Sequence, residues 1–228
     1  MPGQTPSLIL ISNISTLIPF FVSTALILRA RIKSRFVIFW TFFVIAASFE
    51  IIVHSYSVTG KTNTLIIQIY SPIEYGILVF LMSTWHPYKR IAKLMKVSIP
   101  IYLLAYLILK LSGTETFHAD KIDYVSTPIS FLLISLFSLD MLRRLYVSGS
   151  DSLISSYRLW FLFSTAIYYT SETLIMAFMY VESKRLLWYL IYSNASLNIF
   201  HNILFTVSIL LAILCESSKS SCEEMGTR

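Results

Sequence analysis

Three carboxylates lie well inside long apolar runs of this chain: Glu50, Glu74 and Glu172. Two histidines, His54 and His201, share that setting, as do Asn194, Asn198 and Asn202. A charge near the centre of a lipid-embedded helix costs at least about 2.5–3.5 kcal/mol on insertion scales, so such side chains turn toward protein or a wet cavity. Spacing then says which of them share a face. Glu50 and His54 are four apart, as are Tyr70 and Glu74. Thr165, Tyr168, Tyr169 and Glu172 recur at helical spacing, and Asn194, Asn198, His201 and Asn202 follow i, i+4, i+7, i+8. Carboxylates in a low-dielectric interior suit proton exchange, with imidazoles as relay partners and amides as hydrogen-bonding ligands. The candidate site is therefore Glu50, His54, Tyr70, Glu74, Glu172, Asn198, His201 and Asn202. Packing is the ordinary role for a single Asn or Tyr of this kind, but three glutamates and two histidines are expensive as glue.

A metal-dependent enzyme is the rival chemistry. His54, His201 and Glu50 would make a two-histidine, one-carboxylate site, with another glutamate as general base toward metal-bound water. No His-Glu-x-x-His motif is present, and only two histidines lie within apolar runs. The sequence specifies no cofactor.

These groups need helices long enough to carry them through a bilayer. Of the 228 residues, 56% are hydrophobic and 13% charged, and the mean hydropathy is +0.70. Soluble domains carry about a quarter charged residues, so the solvent for this chain is largely lipid. A core about 30 Å thick needs about 20 apolar residues in a helix. Seven segments qualify: Leu8–Leu28, Phe36–Tyr56, Thr64–Thr84, Met95–Leu111, Ile122–Leu142, Tyr157–Val181 and Trp188–Cys215. The first has no Lys or Arg before it and no small-residue cleavage site after it, so it reads as a span rather than a signal peptide. The predicted fold is all-α: a seven-helix transmembrane domain over residues 1–214 and a short tail over 215–228.

Basic residues orient the bundle. One side collects thirteen, among them Arg29, Arg31, Lys89, Arg90, Arg143, Arg144 and Arg158; the other has five, Lys61, Lys110, Lys121, Lys184 and Arg185. The richer side is expected to be cytoplasmic. The N-terminus is then outside a plasma or cytoplasmic membrane and the tail inside, with Trp40, Trp85 and Trp160 at the inner interface and Trp188 at the outer one. The net charge of +6 follows this topological pattern, so no nucleic-acid partner is expected. His86, in the inner connection, and His118, in the outer connection with Glu115, Asp120 and Asp123, read as residues of solvated loops. Asp140 is expected to pair with Arg143. Cys215 and Cys222 read as free thiols. Asn13-Ile14-Ser15 is a formal glycosylation sequon placed inside an apolar run, and is discounted on that ground.

Sliding the chain by 122 residues aligns its first three spans with its last three without a gap. Thr5-Pro6 meets Thr127-Pro128, Ile69-Tyr70-Ser71 meets Ile191-Tyr192-Ser193, and Glu50 meets Glu172. An offset of four spans preserves orientation, so repeat A (5–84) and repeat B (127–206) would be parallel, with a linker helix (95–111) between them. This three-plus-one-plus-three plan resembles the class that includes SWEET sugar-efflux proteins, PQ-loop transporters and microbial rhodopsins. The resemblance covers architecture alone. Pro72 is followed by Ile73, not by Gln, and the last span has no lysine for a retinal Schiff base.

Depth completes the reading. With this topology the candidate groups fall in the outer half or at the centre, while the inner halves of the same helices are nearly all apolar. The expected function is a sensor or transporter of a small solute or of protons, with an outward-facing polar pocket between helices 2, 3, 6 and 7. Pro72 and Pro128 are expected as hinges. The apolar inner half favours a sensor signalling to a cytoplasmic or membrane partner. A non-catalytic subunit of a larger membrane complex is the remaining alternative.

Overall fold

The computed structural model describes residues 5–29, 34–58, 64–115, 123, 125–147, 154, 156–178 and 184–225. Seven α-helices carry these residues: α1 (Thr5–Arg29), α2 (Ser34–Val58), α3 (Thr64–Trp85), α4 (Lys89–Leu111), α5 (Ser126–Val147), α6 (Tyr157–Phe178) and α7 (Lys184–Met225). There is no strand among the described residues. Five helices, α1 to α4 and α7, are long and apolar enough to cross a membrane. α5 and α6 carry many hydroxyl side chains and fall outside that group. Leu94, Ile101, Leu104 and Ile108 of α4 all point outward and exposed. An apolar stripe turned to the solvent fits a multi-pass membrane protein, whose solvent is hydrocarbon.

The helices close a ring. α1 packs on α2, α2 on α3, α3 on α5, α5 on α6, α6 on α7, and α7 on α1; α4 lies outside, against α3 and α5. Side-chain bonds fix the directions. Asn198 and Asn202 of α7 reach Ser12 and Thr16 of α1 in the same chain sense, so α1 and α7 are parallel. Ser71 meets Ser130, and His86 meets Asp140, so α3 and α5 are parallel as well. Trp40 Nε1 donates to Thr24 Oγ1 at 3.1 Å, which brings the start of α2 to the end of α1. One end of the ring therefore holds the C-termini of α1, α3 and α5 and the N-termini of α2, α4 and α6. It carries Lys89, Arg90, Arg143, Arg144 and Arg158 and is termed the basic end.

Prolines mark where helix bonds are re-made. Pro72, inside α3, has no N–H for the carbonyl of Gln68. Tyr106 of α4 supplies the missing donor, its hydroxyl reaching the Gln68 carbonyl at 2.9 Å. The outer helix is thereby pinned to the kink-prone turn of α3. Pro128 behaves differently from the expectation of a hinge. It is the third residue of α5, in a first turn whose N–H groups lack intrahelical partners anyway, so it costs no bond.

At the end opposite the basic one, Gly113 takes a φ of 73° and turns the chain out of α4. That turn swings Glu115 over the start of α5. Its Oε1 accepts from Val125 N at 2.6 Å and Ser126 N at 3.0 Å, satisfying two orphan donors of the helix. Lys110 and Asp123 form an ion pair beside it. Glu115 and Asp123 are both buried, which corrects the expectation of a solvated loop. His118 and Asp120 lie outside the described residues.

His86 is likewise buried rather than solvated. Its Nδ1 accepts from Tyr88 N at 3.1 Å and its Nε2 lies 3.3 Å from Asp140 Oδ2. Asp140 pairs with Arg144 at 2.6 Å, not with Arg143, because i+4 rather than i+3 puts the guanidinium over the carboxylate here. The tail also differs: α7 continues as helix to Met225, through the positions of Cys215 and Cys222.

Candidate functional site

Two layers fill the ring. At the basic end the layer is aromatic. Phe161 stacks on Phe205 with centroids 4.7 Å apart and planes 12° from parallel. Phe39, Phe42 and Phe43 of α2 and Trp85 of α3 pack edge-on or tilted around this pair, at 5.1 to 6.4 Å. Large rings are favoured here because edge-to-face contacts fill space where four helices converge. Trp85 thus faces the core rather than only an interface belt.

The second layer begins about one to three turns further from the basic end on α2, α3, α6 and α7. Glu50 lies seven residues past Phe43, about 10 Å along α2 at 1.5 Å per residue. Glu74 of α3 lies within hydrogen-bonding reach of two hydroxyls, that of Tyr70 on its own helix and that of Tyr169 on α6. Glu172, only 3% exposed, is bonded by the hydroxyl of Tyr168. Tyr168 stands within electrostatic range of all three carboxylates, Glu172, Glu74 and Glu50. Glu74 and Glu172 also sense each other directly. The three glutamates read from the sequence thus lie within electrostatic range of one tyrosine, Glu172 acting on it most strongly and Glu50 least.

His201 joins the two layers. Its ring stacks on Tyr168 at 4.4 Å and touches Phe205 at 4.0 Å. Ser164 Oγ donates to the His201 carbonyl at 3.0 Å and lies 2.7 Å from Nδ1. A hydroxyl has one proton; with that proton on the carbonyl, Nδ1–H is the donor to Ser164. The imidazole is held by protein on that side.

The remaining candidates fall elsewhere. Asn198 Nδ2 donates to Ser12 Oγ at 2.9 Å, and Asn202 Nδ2 lies 2.9 Å from Ser15 Oγ and 3.1 Å from Thr16 Oγ1. Both amides fasten α7 to α1. His54, one turn beyond Glu50, is half-buried, and the described contacts of the cluster do not extend to it. Among the described residues no three His, Cys, Asp or Glu side chains gather at metal-binding distance, so the His54, His201, Glu50 site is not assembled. His201 shows why: its Nδ1 is engaged with Ser164 and its ring is sandwiched between Tyr168 and Phe205.

Three residues belong to the cluster without having been named for it. Tyr168 and Tyr169 share the face of Glu172, and their spacing announced them. Asn13 was discounted with its sequon. With its amide nitrogen turned to the acceptors, it donates to Glu50 Oε1 at 3.2 Å and to the Ile9 carbonyl at 2.9 Å. An amide inside a first apolar run was the available signal.

The acceptor count is in excess. Glu172 Oε1 is buried and has no hydrogen-bond partner. Among the described residues the ion pairs are Lys110–Asp123, Arg144–Asp140 and His86–Asp140, and no lysine or arginine reaches the three glutamates. The chain matches no family model, no curated protein and no solved structure.

Proposed function

We propose that this chain is a seven-span membrane sensor or transporter that binds a small solute or exchanges protons at its glutamate–tyrosine cluster. The observation that carries the reading is the convergence of Glu50, Glu74 and Glu172 on Tyr168, with a buried carboxylate oxygen left open. Buried polar groups are normally satisfied; among the described residues Glu115 Oε2 and Asp123 Oδ2 are also left without a partner, at the start of α5, and Glu172 Oε1 is the unmet oxygen that lies in this cluster.

The ring order supports a parallel repeat. α1, α2 and α3 begin at Thr5, Ser34 and Thr64; α5, α6 and α7 begin within two residues of those positions advanced by 122. Under that correspondence α1·α7 and α3·α5 are equivalent contacts, and both pairs run parallel. Phe39 and Phe161, equivalent in the repeat, touch at 5.3 Å, as residues near a common axis should. Glu50 and Glu172 are the equivalent carboxylates.

In this reading the cluster opens away from the basic end, which faces the cytoplasm of a cell membrane with the N-terminus outside. The aromatic layer closes the other route, which favours sensing over transport and a protein partner at the cytoplasmic end of α7. Proteoliposomes decide between them. Proton or solute flux in wild type that falls in Glu74→Gln and Glu172→Gln identifies a transporter. Binding that these substitutions remove, with flux equal to empty vesicles throughout, identifies a sensor. Neither binding nor flux in wild type ends the reading.

A further inference from the structure

We infer that the ligand of the cluster is a small primary alkylammonium ion, an inference that rests on the site reading above. The chemistry follows from counting donors against acceptors. When ionised, the three carboxylates offer six oxygens, each able to accept more than one bond. The donors aimed at them are Tyr70 and Tyr169 on Glu74, Tyr168 on Glu172, and Asn13 on Glu50. A tyrosine hydroxyl that gives its one proton to a carboxylate keeps its oxygen as a further acceptor. Among the side chains described, the ion pairs of lysine and arginine go to Asp123 and Asp140 and none to these carboxylates. The surplus is concentrated at Glu172 Oε1, which is buried and unbonded.

A partner for this set must bring donors and positive charge and need no donor in return. An anion or a sugar does not meet that condition; a sugar hydroxyl also needs acceptors and donors in balance, and an anion is repelled. A primary ammonium has three donors and no acceptor. Its bonds to ionised oxygens are the strong, charge-assisted kind. The rings of the same tyrosines, with Phe49 against Tyr70 at 4.7 Å, supply an apolar wall for a short alkyl chain. A quaternary ammonium carries the charge but no N–H, so it leaves Glu172 Oε1 unbonded.

The test is calorimetric titration of the full chain in lipid nanodiscs with n-butylammonium, tetramethylammonium and n-butanol. The expected result is saturable binding of n-butylammonium, with the other two at least about tenfold weaker, the scale of one lost charged hydrogen bond. Glu172→Gln weakens n-butylammonium about tenfold or more while its melting temperature stays at or above that of wild type. Equal affinity for tetramethylammonium overturns the inference, because charge without donors is then enough. Equal affinity for n-butanol overturns it too. So does unaltered n-butylammonium binding by a folded Glu172→Gln; if that variant does not fold, the three-ligand comparison on wild type decides alone. Failure of the amine with carboxylate-dependent proton flux intact rejects the ligand class and leaves the site; failure of both rejects the site.

Discussion

The two layers of the ring are built on the same four helices and solve opposite problems. In the aromatic layer every ring named meets another: Phe161 stacks on Phe205, Phe39 tilts against Phe161 and Trp85, and Phe42 meets Phe161 edge-on. In the glutamate–tyrosine layer the helices bring acceptors together faster than donors, and Glu172 Oε1 is left over. Unmet oxygens are not confined to that layer: among the described residues Glu115 Oε2 and Asp123 Oδ2, beside the cap and the ion pair at the start of α5, are also buried without a partner.

That contrast can be broken experimentally, beginning with its strongest side. Phe161→Ala removes the ring at the centre of the aromatic layer and should cost about 3 kcal/mol of stability, the scale of a buried aromatic deletion. Reversible unfolding in mixed micelles measures it; a loss under about 1 kcal/mol would show that the layer is not close-packed. Glu172→Gln should do the reverse: stability unchanged or raised, because a neutral amide replaces a carboxylate with an unmet oxygen, and loss of ligand or proton response. A Glu172→Gln protein that unfolds as readily as Phe161→Ala would erase the distinction between the layers.

Smaller effects sharpen it. Tyr106→Phe deletes the hydroxyl that serves the Gln68 carbonyl below Pro72, and should cost about 1 kcal/mol in the same unfolding assay. No change would mean that water or another group serves that carbonyl. Asn202→Leu unfastens α7 from α1 and should cost about 0.6 kcal/mol, the membrane average for such a bond, without touching ligand affinity. A large fall in affinity instead would return Asn202 to the site.

Long apolar runs announce themselves, so the number and order of helices were legible from composition and length. Burial of Glu172 was legible too, because charge cost forces such a group inward. Partners were harder. Tyr168 and Tyr169 are as consistent with packing as with a site until the neighbouring helix is known. Asn198 and Asn202 matched the pattern of ligands, yet Ser12, Ser15 and Thr16, three small residues on a distant helix, claim them. Helical periodicity gives a side chain's direction but not what waits there. Local context misled in the same way at His86, where a basic stretch before Pro87 looked solvated but Asp140, far along the chain, draws the ring inside.

α7 runs unbroken for 42 residues, about 60 Å at the helical rise, and only the stretch Trp188–Leu214 is apolar enough to lie in a bilayer. His201 sits about 36 Å from Met225 on this rod. A tilt of about 5° pivoting at the imidazole would sweep the far tip through about 3 Å, enough to make or sever a docking contact. The length of the rod thus turns a small tilt within the bundle into a displacement of several ångströms at its tip, with no moving loop required.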